Sequence, residues 1–251
     1  MPPIASDALV LRTYKLGETS KLVVLLTRER GKVRAVARGA RGVRPRYQSA
    51  LEPLSEVRAT LYGKQGADLL RLGGCELLRS AFPAASRGLD ESLAVSYFAE
   101  LLDAFCPEGQ AEDDVYRLAL AVVAAASAEG SSIAVLSRYL EAWLLRLHGI
   151  YPPLDRCAGC GCALVRGELR YHGGARGFVC GLCVAASGPV LGAGTCVFLA
   201  DLFRTPPAAM PQALPPEAEP LESFHQDLIT HHLEHALRSH RVLREVARET
   251  R

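Results

Sequence analysis

Five cysteines crowd into one short segment of the chain, and their spacing carries the clearest chemistry of the sequence. Cys157 and Cys160 form one C-x-x-C pair, Cys180 and Cys183 form a second, and nineteen residues separate the pairs. Two such pairs supply the four thiolates of a closed, tetrahedral zinc site, whose role is structural because no position is open to water. We expect one structural zinc ion here, the alternative being a cluster of free or redox-active thiols. Cys162 is a fifth candidate that either substitutes in the first pair or is spare.

The remaining cysteines and the apolar segments bear on the class of protein. Cys75, Cys106 and Cys196 lie in apolar surroundings and are expected to be buried as small apolar side chains. The crowding of the other five favours a metal site over a disulfide framework. The sequence has no stretch typical of a signal peptide and no apolar run long enough to span a bilayer. We therefore expect a cytoplasmic protein that does not enter membranes.

A histidine motif near the end of the sequence suggests a competing chemistry. His231, Glu234 and His235 match H-x-x-E-H, a zinc-peptidase pattern in which two histidines one helical turn apart bind the metal beside a catalytic glutamate. Such a site also needs a third ligand and a pocket, and only Glu245 and Glu249 follow as acidic candidates. An ordinary amphipathic helix is the favoured interpretation, with the metallopeptidase as the less favoured alternative.

Other catalytic patterns are missing from the sequence. It contains no glycine-rich dinucleotide motif after a strand, no P-loop and no nucleophile elbow. We therefore expect a binding protein and not an enzyme.

A run of basic residues without a carboxylate extends from Gly31 to Arg46. Its members are Lys32, Arg34, Arg38, Arg41, Arg44 and Arg46. Residues 1–80 hold fifteen Lys and Arg against seven Asp and Glu, a net charge of +8, whereas the rest of the chain carries −6. Such segregation is typical of a polyanion-binding surface, and these side chains would follow a phosphate backbone without sequence preference. The rival hypothesis is an adaptor protein whose basic face docks an acidic partner.

Aromatic residues close to this run could bind bases by stacking. The candidates are Tyr14, Tyr47 and Tyr62, and Tyr47 is favoured because it directly follows the basic run. Each tyrosine is equally suited to a core position, which is the alternative. If all six basic residues contact single-stranded DNA, the logarithmic salt slope should approach about −4, at about 0.7 per phosphate.

The first 80 residues predict the scaffold for the basic run. Alternating or β-branched stretches between glycine-bearing turns predict strands at 9–14, 21–27, 32–38, 56–62 and 68–72. Five strands in so short a unit hide their edges by closing into a barrel, and the OB-fold is the common design of this kind for nucleic acid. In the third strand, the basic residues alternate with small apolar ones and therefore share the outer face.

Helical periodicity replaces the strand pattern after residue 83. Apolar stripes predict three helices with breaks at 107–114 and 129–132. We interpret Tyr139 and Trp143 as core residues of this bundle and not as part of a cofactor site. Six prolines in 205–220 predict an irregular arm, and a last, histidine-rich helix follows it.

The predicted fold class is α+β and multidomain. We expect an OB-fold domain at 1–80, a helical bundle at 81–150, a four-cysteine zinc ribbon-like segment at 151–190, and the rest of the helical domain at 191–251.

The succession of these segments resembles the RecO family of bacterial recombination mediators over nearly the whole chain. The similarity is carried by DALVLRTYKLGETSKLVVLLTRERGKVRAVARGAR, SYFAELLDAF, VYRLALAVV, YLEAWLLRLHGIYPPLDRCAGCG, GGARGFVCGLC and HALRSHRVL, in that order. The resemblance implies an N-terminal OB-fold, a helical part with a zinc ribbon-like insertion, and no enzymatic turnover. It also implies binding of single- and double-stranded DNA, annealing of single strands, contact with RecR and with single-strand-binding protein, help in loading RecA, and a cytoplasmic, nucleoid-associated location.

Overall fold

The computed structural model describes residues 3–41, 47–64, 66–164, 167–183 and 188–249. The chain divides into two compact units: Met1–Glu129 with Leu237–Arg251 form the first, and Gly130–Ala236 form the second. The second unit is thus an insertion into the sequence of the first. The finer division proposed from the sequence, at residues 80, 150 and 190, stays a prediction.

Five strands of the first unit close into a barrel. They are β1 (Ile4–Leu16), β2 (Ser20–Thr27), β3 (Gly31–Ala37), β4 (Glu56–Tyr62) and β5 (Leu70–Arg79). Their order around the barrel is β1-β2-β3-β5-β4, and every neighbouring pair is antiparallel except β3 and β5. Closure pairs each strand on both sides, which removes the exposed edges that an open sheet of this size would have. The predicted OB-like barrel is confirmed.

Alanine, valine and leucine side chains fill the barrel. The strand residues of its core are Ala8, Val10, Val23, Leu25, Ala35, Ala37, Val57, Ala59, Leu61, Leu70 and Leu72. The alternation predicted for β3 is observed, since Ala35 and Ala37 point inward while Arg34 is exposed on the opposite face. The predicted strand 68–72 extends much further, to Arg79, because Gly73 and Gly74 lie inside β5 and form part of its irregular pairing with β4.

Seven α-helices occur in the described part of the chain. They are α1 (Phe82–Ala85), α2 (Leu89–Phe105), α3 (Asp113–Ser127), α4 (Ile133–Leu147), α5 (Ala193–Leu202), α6 (Glu219–Leu233) and α7 (Arg238–Glu249). Helices α1, α2, α3 and α7 belong to the first unit, and the other three belong to the second. No helix among the described residues is both long and apolar enough to cross a membrane.

The last helix predicted from the sequence is in fact two helices. Helix α6 ends at Leu233, and the next residue, Glu234, has a left-handed backbone with φ of 60°. Neither glycine nor proline marks this break. Contacts distant in sequence explain it: the carboxylate of Glu100 in α2 accepts the backbone N–H of Ser239 over 2.7 Å and also its hydroxyl, which fixes the start of α7 on α2.

A small sheet and an aromatic core organise the second unit. Its strands are β6 (Leu169–His172), β7 (Gly177–Val179) and β8 (Val190–Leu191), in the order β7-β6-β8. The ring of Phe224 in α6 lies 4.8 Å from that of Tyr171 and 5.2 Å from that of Phe178, measured between centroids. Such aromatic contacts add about 0.5–1.5 kcal/mol beyond burial alone, and here they attach the sheet to α6.

One glycine joins the barrel to the segment between α2 and α3. Gly31 begins β3 with φ of +64°, and a Cβ on it would lie 1.8 Å from the carbonyl oxygen of Gln110. We expect Gly31→Ala to lower the free energy of unfolding by about 3 kcal/mol, since a strained φ and a clash with backbone act together. Urea denaturation followed by circular dichroism measures this loss.

Gly17→Ala is the matched control for this substitution. Gly17 has φ of +63°, but a Cβ on it would meet no atom of the described residues within 4 Å. Only the backbone term applies there, so we expect a loss of about 1 kcal/mol. Equal losses in the two variants would contradict the role given to the contact between Gly31 and Gln110.

Candidate nucleic-acid interface and metal centre

The first two residues of the basic run, Lys32 and Arg34, form ion pairs within the first unit. The side chain of Lys32 is only 13% exposed, and its Nζ lies 3.1 Å from Oδ1 of Asp103 in α2. The guanidinium of Arg34 forms an ion pair with Glu108, which follows α2. The DNA contact predicted for Lys32 stays a prediction, and it would require this largely covered ion pair to open. Arg34 is half exposed but already paired.

Two further cations of the barrel form ion pairs with acidic residues of α2 and α3. Arg12 in β1 places its Nε 3.0 Å from Oδ2 of Asp103, and Arg28 after β2 places its Nε 2.8 Å from Oδ1 of Asp113 in α3. Four barrel cations thus meet acidic side chains of the segment that contains α2 and α3. Part of the charge asymmetry seen in the sequence is consequently an internal contact between the barrel and its helices, and not a surface for a polyanion.

The next two basic residues lie at the other end of β3 and face solvent. Arg38 directly follows the strand, and Arg41 lies in the following turn. The backbone N–H of Arg41 donates to the carbonyl of Thr19 over 2.9 Å, and its Nη1 donates to the carbonyl of Gly17 over 3.2 Å. These contacts hold Arg41 against the turn between β1 and β2. Both side chains are exposed, and no ion pair involves either of them within the described residues.

A transverse row of outer-face residues reaches this end of the barrel. Cross-strand pairing connects Tyr14, Leu22, Val36, Arg71 and Tyr62. Directly paired residues project to the same face of a sheet. The row therefore places an aromatic side chain at each end, on β1 and on β4, with an arginine beside the second.

The three tyrosines have different environments. Tyr14 is 46% exposed and presents its ring to solvent. The ring of Tyr62 is covered by the guanidinium of Arg71, 4.6 Å from its centroid. Tyr47 is 5% exposed in the barrel core, and its hydroxyl donates to the carbonyl of Leu72 over 2.9 Å. The ring of Tyr47 thus has the core position that was its alternative, and Tyr14 is the candidate that remains open to a base.

We call the solvent-facing residues at this end the barrel-end surface. It consists of Tyr14, Lys15, Lys21, Arg38 and Arg41, which flank the turn between β1 and β2 or the turn after β3, and the first of these turns also carries the exposed Glu18. Lys15 is paired with Lys21, and Lys21 with the inward-facing Ala37. The two lysines therefore lie on the strand face opposite Tyr14, at the open end of the barrel. Arg44 and Arg46, the last two residues of the basic run, lie outside the described residues.

The cysteine segment forms a sulfur cluster in the second unit. The sulfur atoms of Cys157, Cys160, Cys162 and Cys180 all lie within 4.8 Å of one another. The Sγ atoms of Cys160 and Cys180 are 3.7 Å apart. Four sulfurs at about 2.3 Å from a tetrahedral zinc are about 3.8 Å apart, so this spacing and the all-thiol donor set fit a zinc ion.

Cys183, the fourth predicted ligand, is also close to the cluster. Its thiol is hydrogen-bonded to the sulfurs of Cys160, Cys180 and Cys157, which raises the pKa of Cys183 to about 12. The thiol of Cys162 is likewise hydrogen-bonded to Cys160 and Cys180, and its pKa is raised to about 12. The four sulfurs within 4.8 Å of one another thus include three of the predicted ligands together with Cys162, and Cys183 lies beside them.

Local backbone geometry positions these sulfurs and prepares two of them to bind a cation. The turn 157–162 is closed by the N–H of Cys157, which donates to the carbonyl of Cys162 over 2.8 Å. The N–H groups of Cys160 and Cys180 donate to the sulfur of Cys157 and lower its pKa to about 6. The pKa of Cys180 is lowered in the same way by the N–H groups that follow it. Hydrogen bonds of this kind stabilise the thiolate form, which is the form that binds metal.

The thiolate form is not favoured at the other three cysteines. Burial raises the pKa of Cys106 to about 12 and that of Cys75 to about 11. Burial also raises the pKa of Cys196, whose thiol donates to the carbonyl of Leu191 over 3.5 Å. Cys106 is fully buried, as expected, whereas Cys75 and Cys196 are half-buried.

A buried polar network lies beneath α4 and α6, and sequence analysis missed it. Glu141 and His225 are fully buried, with Oε2 of Glu141 3.0 Å from Nδ1 of His225. Nη2 of Arg138 donates to Oε1 of Glu141 over 2.7 Å, and the hydroxyl of Tyr151 lies 3.1 Å from Nε2 of His225. Burial lowers the pKa of His225 even though the neighbouring carboxylate favours the charged form. A neutral His225 that donates from Nδ1 and accepts at Nε2 satisfies both partners.

Family models match both parts of this architecture. The model described as "Recombination protein O N terminal" matches residues 1–81, and "Recombination protein O C terminal" matches residues 87–241. The chain belongs to the RecO family. The "DNA repair protein RecO" of Anaeromyxobacter dehalogenans (strain 2CP-C) is 35% identical, and the alignment covers 98% of each chain. The protein of the same name from Anaeromyxobacter sp. (strain K) is also 35% identical with 98% coverage of each chain.

A further relative of the same name aligns with a shorter part of the chain. The "DNA repair protein RecO" of Koribacter versatilis (strain Ellin345) is 36% identical over 62% of this chain and 63% of its own length. Proteins of the RecO family are recombination mediators and not enzymes, which confirms the prediction of a non-enzymatic protein.

Both the family and the break in the helix contradict the zinc-peptidase alternative. In this RecO-family chain His231 lies in the last turn of α6, while Glu234 has the left-handed backbone that ends the helix. His235 follows the break, and its Nδ1 lies 2.8 Å from the carbonyl of Leu233. The two histidines therefore do not occupy successive turns of one helix, as H-x-x-E-H chemistry requires.

Proposed function

We propose that this RecO-family protein is a DNA-binding recombination mediator that acts in repair without catalysing a reaction. The observation that carries the proposal is the barrel-end surface, where four cations and the exposed ring of Tyr14 lie at one end of an OB-like barrel. Cations bind phosphates and an aromatic face stacks on any base, so the combination suits DNA without sequence preference. Both single- and double-stranded DNA offer the phosphates, and only single strands offer free base faces.

The salt dependence follows from the number of cations available. Lys15, Lys21, Arg38 and Arg41 would give a logarithmic slope of about −3 on single strands, at about 0.7 per phosphate. Contacts by Arg44 and Arg46, which continue the basic run, would bring the slope to about −4. Lys32 and Arg34 add nothing in this account, because Asp103 and Glu108 hold them.

Annealing and loading are the finer parts of the proposal. Neutralising phosphates on single strands lowers the repulsion that keeps complementary strands apart, which favours their pairing. We further propose, from family membership, that the protein acts with RecR to load RecA onto DNA covered by single-strand-binding protein. The names of the relatives as DNA repair proteins support this role, and its site of action would be the nucleoid in the cytoplasm.

A single structural zinc ion is part of the proposal. The fit of the sulfur cluster supports it, and when bound the ion would cross-link the two cysteine turns. Cys157, Cys160 and Cys180 would hold the ion, with a fourth thiolate from the same cluster. The turns would then orient β6 and β7, since the N–H of Ala158 in the first turn donates to the carbonyl of Phe178 in β7 over 2.8 Å.

The experiment is equilibrium binding of fluorescent oligonucleotides, single- and double-stranded, measured by anisotropy at several salt concentrations. We expect Tyr14→Ala to weaken single-strand binding by about 1–3 kcal/mol, the contribution of one stacked base, and duplex binding by much less. Tyr14→Phe keeps the aromatic face and is the matched control, so its affinity should stay near that of the parent protein. Equal losses on single strands and duplexes would contradict stacking, and salt-independent binding would contradict the function itself.

A further inference from the structure

The sulfur cluster contains one thiol more than a tetrahedral site can use. We propose that Cys157, Cys160 and Cys180 are fixed ligands of one zinc ion, and that Cys162 and Cys183 are alternative fourth ligands. The inference rests on the proposed zinc site and specifies its ligands.

The three fixed ligands are common to both possible sets. The sulfurs of Cys157, Cys160 and Cys180 lie within 4.8 Å of that of Cys162. The thiol of Cys183 lies beside this cluster, since a Cβ on Gly159 would be within 3.7 Å of the sulfurs of both Cys183 and Cys157. Either residue therefore completes a four-thiolate set with partners that are already assembled.

Both alternative ligands lie outside strands and helices. Cys162 closes the first turn through its carbonyl, which accepts the N–H of Cys157 over 2.8 Å, and its side chain is exposed. Cys183 closes the second turn through its N–H, which donates to the carbonyl of Cys180 over 3.0 Å. Because these turn contacts use backbone groups, either sulfur can leave the metal without breaking them. The neighbouring Leu182 is 98% exposed, so the second turn borders solvent.

The two cysteine turns pack closely against each other at Gly159. Gly159 lies directly against Cys183, since a Cβ on Gly159 would be 3.1 Å from the Cys183 sulfur and 3.7 Å from that of Cys157. Zinc in structural sites takes four ligands. One of five thiols is then unligated at any time, and exchange distributes this role between Cys162 and Cys183.

Zinc content of purified single and double variants tests the inference. The variants are Cys162→Ser, Cys183→Ser, the combination of both, and Cys160→Ser as the matched loss of a fixed ligand. We expect one zinc per chain by native mass spectrometry in the parent protein and in the first two variants, with affinities within about 10-fold of the parent in chelator competition. The double variant and Cys160→Ser should each lose zinc binding by more than about 100-fold, because each lacks a fixed ligand or both alternatives.

Alkylation of the zinc-loaded parent protein gives an independent measurement. Iodoacetamide followed by peptide mapping should label Cys162 and Cys183 each in part, and should spare Cys157, Cys160 and Cys180. Labelling of only one of the two, with zinc lost from the variant of the other, would overturn the exchange and assign a fixed fourth ligand. Zinc retained by the double variant would also overturn it. A parent protein that binds no zinc would instead refute the zinc site on which the inference rests.

Discussion

Replacing Arg38 and Arg41 together by glutamate is expected to weaken binding of single-stranded DNA by about 100-fold at moderate salt. Both side chains are exposed, and that of Arg41 is held against the turn between β1 and β2. Reversal of their charge would turn two phosphate contacts into repulsion. The logarithmic salt slope should become shallower by about 1.4, which is the share of two phosphates. Anisotropy titration of an oligothymidylate across a salt series measures both quantities.

The control carries the same change of charge in the second unit. Arg176 and Arg204 are exposed, and their replacement by glutamate alters the net charge of the protein equally. Only a general electrostatic attraction would make the two double variants behave alike. A parent-like affinity of the Arg38 and Arg41 variant, with an unchanged salt slope, would move the DNA site away from the barrel-end surface. Competition between DNA and RecR for the parent protein would then test whether this surface is the docking face of an acidic partner.

The second large effect concerns stability, at the buried network of the second unit. We expect Glu141→Ala to lower the free energy of unfolding of this unit by about 3 to 5 kcal/mol. The substitution leaves the buried Arg138 without its 2.7 Å partner, and His225 without the carboxylate at its Nδ1. Removal of one member of a buried charged pair costs more than the pair contributes, because the other charge stays desolvated. Trp143 in α4 is the only tryptophan of the chain, so its fluorescence during urea denaturation reports on this unit.

Glu222→Ala is the matched control on the same arginine. Nη1 of Arg138 lies 3.5 Å from Oε2 of Glu222, whose side chain is 37% exposed. Glu222 is partly exposed to water and Arg138 keeps its shorter bond to Glu141, so this variant should lose much less stability than Glu141→Ala. If both variants lost the same stability, burial of Glu141 would not be the cause of its effect.

The strands and helices were predictable because the residue pattern of each lies within its own short segment of the sequence. The alternation of small apolar and basic residues marked β3 to within one residue at each end, and β4 was predicted with its observed bounds. The extension of β5 beyond Leu72 was missed because Gly73 and Gly74 are typical of a turn. A Cβ on Gly73 would lie 2.2 Å from Cε2 of Tyr62, so this glycine makes room for the aromatic ring of the neighbouring strand.

The candidate sites were predictable only in part, because side-chain partners distant in sequence decide which charges remain exposed. Nothing near Lys32 in the sequence indicates that Asp103 will neutralise it. Likewise, the position of Tyr47 after the basic run does not indicate that its hydroxyl will donate to the buried carbonyl of Leu72. By contrast, the cysteine pairs depend on short turns, and for that reason their spacing alone placed the sulfurs together. The short distance between the sulfur of Cys162 and the other sulfurs depends on the conformation of the first turn, which the spacing of the cysteines does not determine.

The contact between Glu100 and Ser239 joins residues 139 positions apart, and this has a consequence for synthesis on the ribosome. At about 5 to 20 residues per second, the ribosome needs about 7 to 28 s to add α7 after α2 has been made. During that interval the ring of Tyr97 lacks its later neighbour His240, at 5.4 Å between centroids, although the whole barrel has already been translated. The first unit therefore completes its folding only after the entire inserted unit has been translated, and until then α2 offers an uncovered apolar face to chaperones.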